Sequence, residues 1–231
     1  MTSSASDDGK AFVEAGLPAI SREWMGDDYV RAAEVLAAGK VQLPHLSDAQ
    51  GRLLLQRLTA TENLSFCRNR TLPLEQRLDG LFKLMGGSNA ISKQYMAAAN
   101  KGANVHTELA QQLAFLLRVA VLGVQLVDEF QPTIPKDEKY AVRMDGLKQI
   151  YSGLTTMFAG AETSLSEKKF YSAEDLSLLL TAMAETLPIV KKAFASDYKL
   201  ELRKKLESRR AAFPQSEDAQ KLQRMISELA D

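Results

Sequence analysis

Chemistry-bearing residues are scarce in this chain. It has one cysteine, Cys67, and two histidines, His45 and His106. A lone cysteine excludes an internal disulfide framework and any multi-cysteine metal site. Two histidines leave little material for a zinc centre. No metal or cofactor is therefore expected. Net charge is also lacking: 29 basic residues cancel 29 acidic ones. No global field draws the chain to nucleic acid or to an anionic membrane.

Catalytic signatures are missing too. There is no G-x-x-x-x-G-K-[ST], no G-x-G-x-x-G, no G-x-S-x-G, no H-E-x-x-H, no E-x-x-H and no EF-hand loop. S-x-x-K occurs at Ser166–Lys169 and at Ser196–Lys199, but without the companion S-D-N and K-T-G elements. Both are chance matches. Arg68 and Arg70 beside Cys67 would favour a thiolate, and a cysteine nucleophile would need His45 or His106 as base. No local signature places either one, and a buried small hydrophobe is the preferred reading of Cys67.

One long apolar run is present, from Val105 to Phe130. Wound as a helix, it carries Leu109, Leu113, Leu116, Ala120, Val124 and Val127 on one face and Phe115, Val119, Leu122, Leu126 and Phe130 on a second. A helix apolar on most sides is wrapped by others. The expected fold is therefore all-α, a single multi-helix bundle around this central helix. Residues 1–8 are expected to form a small, polar, disordered tail, residues 9–231 the domain, and the Pro-containing stretch 131–136 the one plausible hinge. Arg118 interrupts the apolar run, so no transmembrane segment is expected. The start MTSSASDDGK has no basic region followed by an apolar run. A chain complete as given would be cytoplasmic; one that has lost a signal peptide would be periplasmic or secreted.

Gln111, Arg118 and Gln125 recur seven apart on the central run and form one narrow polar stripe. Either the stripe is the helix's view of water, or it lines a slot in which Arg118 clamps an anionic group. The first reading is preferred, because arginine is seldom fully buried unless paired.

Other helices announce themselves by punctuation. Lys10–Ala15, Pro18–Met25 and Asp28–Ala38 are each closed by a glycine. Ser47 with Gln50 reads as a capping box for about 48–58, a helix that could extend toward Cys67. Pro73–Met85 ends at Gly86–Gly87, and Ser88 caps Asn89–Asn100. From Lys136 to about Ser164, Tyr140, Leu147, Leu154 and Ala161 with Met144, Tyr151, Phe158 and Leu165 make an a/d seam. Gly146, Gly153 and Gly160 run beside it. Each glycine costs about 1 kcal/mol against alanine in a helix interior. Close approach of a neighbouring helix is the preferred reason; a groove for a partner helix or an apolar ligand is the alternative. Ser172 and Asp175 start another helix, which Pro188 should kink or break near Thr186–Leu187. Ser216 caps the last.

The local charge excess is basic: Lys191, Lys192, Lys199, Arg203, Lys204 and Arg209, among others, lie between positions 191 and 210. It lacks the aromatic interleaving of a nucleic-acid surface. A solvated face is the plain reading and a dock for an acidic protein partner the functional one. The chain as a whole reads as a non-enzymatic helical binding protein of bacterial type, acting through a protein partner as adaptors, secretion accessories and toxin-neutralising proteins do. The alternative is a carrier of a small apolar or anionic ligand between helices, using Gln111, Arg118, Gln125 and the glycines at 146, 153 and 160.

Overall fold

The computed structural model describes residues 5–167, 169–213 and 217–230. The protein is all-α, with no strand among the described residues. It divides into two compact units, residues 1–116 and 117–231. The division falls inside the central apolar helix. Among the described residues no helix is long and apolar enough to cross a membrane.

The first unit holds α1 (Ala5–Glu14), α2 (Gly26–Ala37), α3 (Ala49–Leu58), α4 (Ser65–Arg68), α5 (Leu74–Asn100) and the start of α6 (His106–Phe130). The tail expected at residues 1–8 lies partly outside the described residues, and α1 opens at Ala5 within it. No helix forms over 18–25. There the Trp24 backbone N–H donates to Asn63 Oδ1 at 2.8 Å, and the indole N–H donates to the Ala19 carbonyl at 3.0 Å. Asp28 supplies the side-chain acceptor at the start of α2, taking the Met25 N–H at 2.8 Å. Asp48, not Ser47, caps α3, accepting the Gly51 N–H at 2.6 Å. The α3 helix stops at Leu58 instead of extending toward Cys67, and a 3-10 turn, Thr61–Leu64, leads into α4.

The break expected at Gly86–Gly87 is absent, and α5 runs unbroken for 27 residues. Its glycines serve the crossing with α2. A Cβ on Gly87 would lie 2.5 Å from the Tyr29 carbonyl carbon and oxygen, and one on Gly26 2.3 Å from the Gly80 carbonyl oxygen. At this crossing Tyr29 stacks on Phe115 with centroids 6.0 Å apart and meets Trp24 edge-on at 5.9 Å. All three rings are fully buried.

The second unit contains the rest of α6, then α7 (Tyr140–Ser166), α8 (Ala173–Val190), α9 (Ser196–Ser208) and α10 (Glu217–Glu228). The seam of α7 is buried as expected at Leu147, Leu154, Phe158, Ala161 and Leu165. Leu147 packs with Val127 and Ile134, and Tyr140, Met144 and Tyr151 cover that cluster. The α8 helix starts at the Ser172–Asp175 capping box. It continues through Pro188 to Val190 rather than stopping at Leu187. The Thr186 hydroxyl there donates to the Ala182 carbonyl at 2.7 Å. The expected cap Ser216 lies outside the described residues. Leu222, Met225, Ile226 and Leu229 are buried, and α10 packs on α8 and α9.

Candidate functional site

Residues of the second unit expected to form sites are largely engaged inside it. Lys191 donates to the Glu228 carboxylate and to its carbonyl, both at 2.9 Å. Lys192 pairs with Asp128 and Arg203 with Glu207. Arg209 and Lys205 converge on Glu162, whose side chain is only 3% exposed. A buried carboxylate costs free energy unless paired, so these cations serve the fold first. Lys204 is exposed and Lys199 half-buried. The basic run is thus mostly an internal ion-pair system rather than one cationic face.

The polar stripe of α6 is not one environment. Gln111 is half-buried and Gln125 exposed. Arg118 is half-buried, with its guanidinium 3.9 Å from the Glu185 carboxylate. The glycine row also differs from its preferred reading. A Cβ on Gly146 or Gly153 would meet nothing within 4 Å, so no neighbouring helix approaches closely there. Gly160 is exposed. Close approaches are made instead at Gly26, Gly51, Gly80 and Gly87 in the first unit.

An open groove of about 640 Å³ lies on a neighbouring side of α7. Lys148, Ser152, Thr155, Thr156 and Ala159 form one wall. Ala193, Phe194, Ala195, Asp197 and Tyr198 form the other, with Tyr151 between them in the lining. The α7 positions recur at three and four residues, which puts them on one helix face over about 17 Å at 1.5 Å per residue. Phe194 is wedged edge-on between Phe158, at 5.3 Å, and Tyr198, at 5.0 Å. The wall is therefore tied to the core of the unit. Thr155 and Thr156 donate their hydroxyl protons to the Tyr151 and Ser152 carbonyls at 2.9 and 3.0 Å, leaving their oxygens as acceptors. The Tyr198 hydroxyl is closed off from solvent and has no partner among the described residues. Burial, then the charges of Glu162 and Glu201, hold its proton on well above the usual tyrosine range. No periodicity marks this groove in the sequence, because its second wall comes from a 3-10 turn and the first turn of α9.

The first unit carries two polar clusters and the cysteine. Asn63 accepts from Trp24 N and from Arg57, and donates to the Tyr29 hydroxyl and to the Arg57 carbonyl. Buried Glu108 accepts the Leu46 N–H at 2.7 Å and lies 3.4 Å from His45 Nδ1, while His45 Nε2 meets the Asn104 carbonyl at 2.8 Å. This cluster pins the 43–48 loop onto the start of α6. Cys67 is fully buried, and burial pushes its thiol up to about 12 against the weaker opposing pull of Arg77 and Arg68. A thiol held protonated at neutral pH is a poor nucleophile. Among the described residues no group of three or more His, Cys, Asp or Glu is placed to hold a metal ion.

No protein-family model, curated protein or solved structure matches the chain. What the fold and groove define is therefore a class only: an all-α protein whose second unit carries an open, aromatic-walled groove.

Proposed function

We propose that this chain is a binding protein that engages a protein partner through the groove between α7 and the start of α9. The observation that carries the reading is the groove's form: open along three turns of one helix and walled by three aromatic rings. Aromatic side chains supply large contact area at low entropic cost, and small neighbours such as Ala159 and Ala195 leave room for inserted side chains. A helical or extended segment laid along α7 would place anchors at intervals of three or four residues. This places the partner surface away from the basic run, where Lys191, Lys192, Arg203, Lys205 and Arg209 already face acids of their own unit. The carrier reading has less support, since its clamp Arg118 already has the Glu185 carboxylate 3.9 Å away.

The test is site-specific photocrosslinking in the native host. A benzophenone side chain at Thr156, inside the groove, should give an adduct of defined mass identifiable as one protein. The same group at Val142, exposed on α7 outside the groove, should not. Equal adducts at both positions, or none at Thr156, would count against the groove.

A further inference from the structure

We infer that the groove selects a basic partner segment, with a Lys or Arg side chain flanked by apolar residues; this rests on the groove being the partner site. The charged residues of the lining are Lys148 and Asp197. They are not equally available. The Lys148 ammonium lies 2.8 Å from Asp145 on its own helix, so its charge is met within α7. Asp197 accepts the Tyr198 backbone N–H at 2.9 Å and has no cation against it among the described residues. It sits in the first turn of α9. Lys199 is two residues on and projects from a different side of α9. Nearby Glu201 and Lys205 pair with each other at 2.8 Å.

Two neutral groups point the same way. Thr155 and Thr156 have given their protons to the helix backbone, so each offers the groove an oxygen lone pair. Aromatic rings in the lining, Tyr151 and Tyr198 beside the buried Phe194, are of the kind that attracts ammonium and guanidinium groups. Acceptors, one unneutralised carboxylate and three rings complement a donor-only cation with an apolar stem, which describes Lys or Arg. An acidic segment would bring its carboxylates against Asp197 and against the Thr155 and Thr156 oxygens, which have no proton to give. The inferred partner is therefore opposite in charge to the one the basic run suggests.

Two fluorescein-labelled 14-residue helical peptides test this, identical in their Leu and Ala positions and carrying three Lys or three Glu at the same places. Anisotropy titration of the full chain should show the Lys peptide binding at least about fivefold tighter than the Glu peptide. Asp197→Asn should remove that preference and Asp197→Glu restore it, with circular dichroism confirming the folded state of each. Ser152→Trp, which fills the groove, should weaken the Lys peptide. Equal or tighter binding of the Glu peptide, or a preference that survives Asp197→Asn, overturns the inference. If both peptides then still compete for a site blocked by Ser152→Trp, the groove reading stands while its charge selectivity falls. Absence of binding by either peptide also overturns the inference, and the Thr156 crosslink then decides the groove reading separately.

Discussion

Adjacent glycines in α5 should respond to alanine with opposite signs. Gly86 is exposed, and a Cβ there meets nothing within 4 Å. Gly86→Ala therefore adds helix propensity alone, a gain of up to about 1 kcal/mol. On Gly87 a Cβ falls 2.5 Å from the Tyr29 carbonyl carbon and oxygen and 2.8 Å from the Tyr29 Cβ. Ordinary carbon contacts begin near 3.5 Å, so α2 must retreat by about 1 Å. The obstacle is backbone and cannot rotate aside. Retreat would also disturb the Tyr29 ring, stacked on Phe115 and bonded through its hydroxyl to the Leu58 carbonyl at 2.7 Å. Overpacking of this kind costs about 1–3 kcal/mol or more. Against the same propensity gain, Gly87→Ala should come out destabilised by about 1–2 kcal/mol, some 2–3 kcal/mol below Gly86→Ala. Urea unfolding can be followed by far-ultraviolet dichroism and by the fluorescence of Trp24, the chain's single tryptophan, which sits in this crossing. Two alanine variants within about 0.5 kcal/mol of each other would refute the crossing geometry.

Two further outcomes follow from the first unit. Asn63→Ala leaves the Trp24 N–H without an acceptor and removes three more hydrogen bonds; an orphaned buried donor costs about 1–3 kcal/mol and each lost bond about 1. Allowing for relaxation, a loss of roughly 2–5 kcal/mol is expected by urea unfolding, against almost none for exposed Asn100→Ala. The thiol of Cys67 is raised from 9.0 to about 12, so the unfolded chain releases this proton first and stability should fall as pH rises from about 9 toward 12. Cys67→Ala should show a shallower decline over that window, and in the native wild type a thiol reagent at pH 8 should react only after denaturant is added.

Much of the helical content was legible in the chain because its signals are local. The apolar run of α6 is buried at Leu109, Leu113, Phe115, Val119 and Val127. The a/d seam of α7 and the Ser172–Asp175 box also appear where the spacing places them. Each depends only on residues within a turn or two, and helical periodicity fixes which of them share a face.

Much of what tertiary structure decided involved a partner distant in sequence. Gly86–Gly87 resembles a helix end, yet α2 needs a surface without a side chain at Gly87, so α5 continues. Pro18–Met25 resembles a helix, yet Asn63 takes the Trp24 N–H from 39 residues away. The basic run resembles a docking face, yet Glu162 and Glu228 draw Arg209 and Lys191 inward and Asp128 meets Lys192 at the surface. The glycines at 146 and 153 promised close packing and received none. Local sequence determined which segments are helices and which faces are apolar. Which glycines are pressed, which charges are paired and where a groove stays open depended on segments far apart in the chain, since those contacts form only when the helices pack.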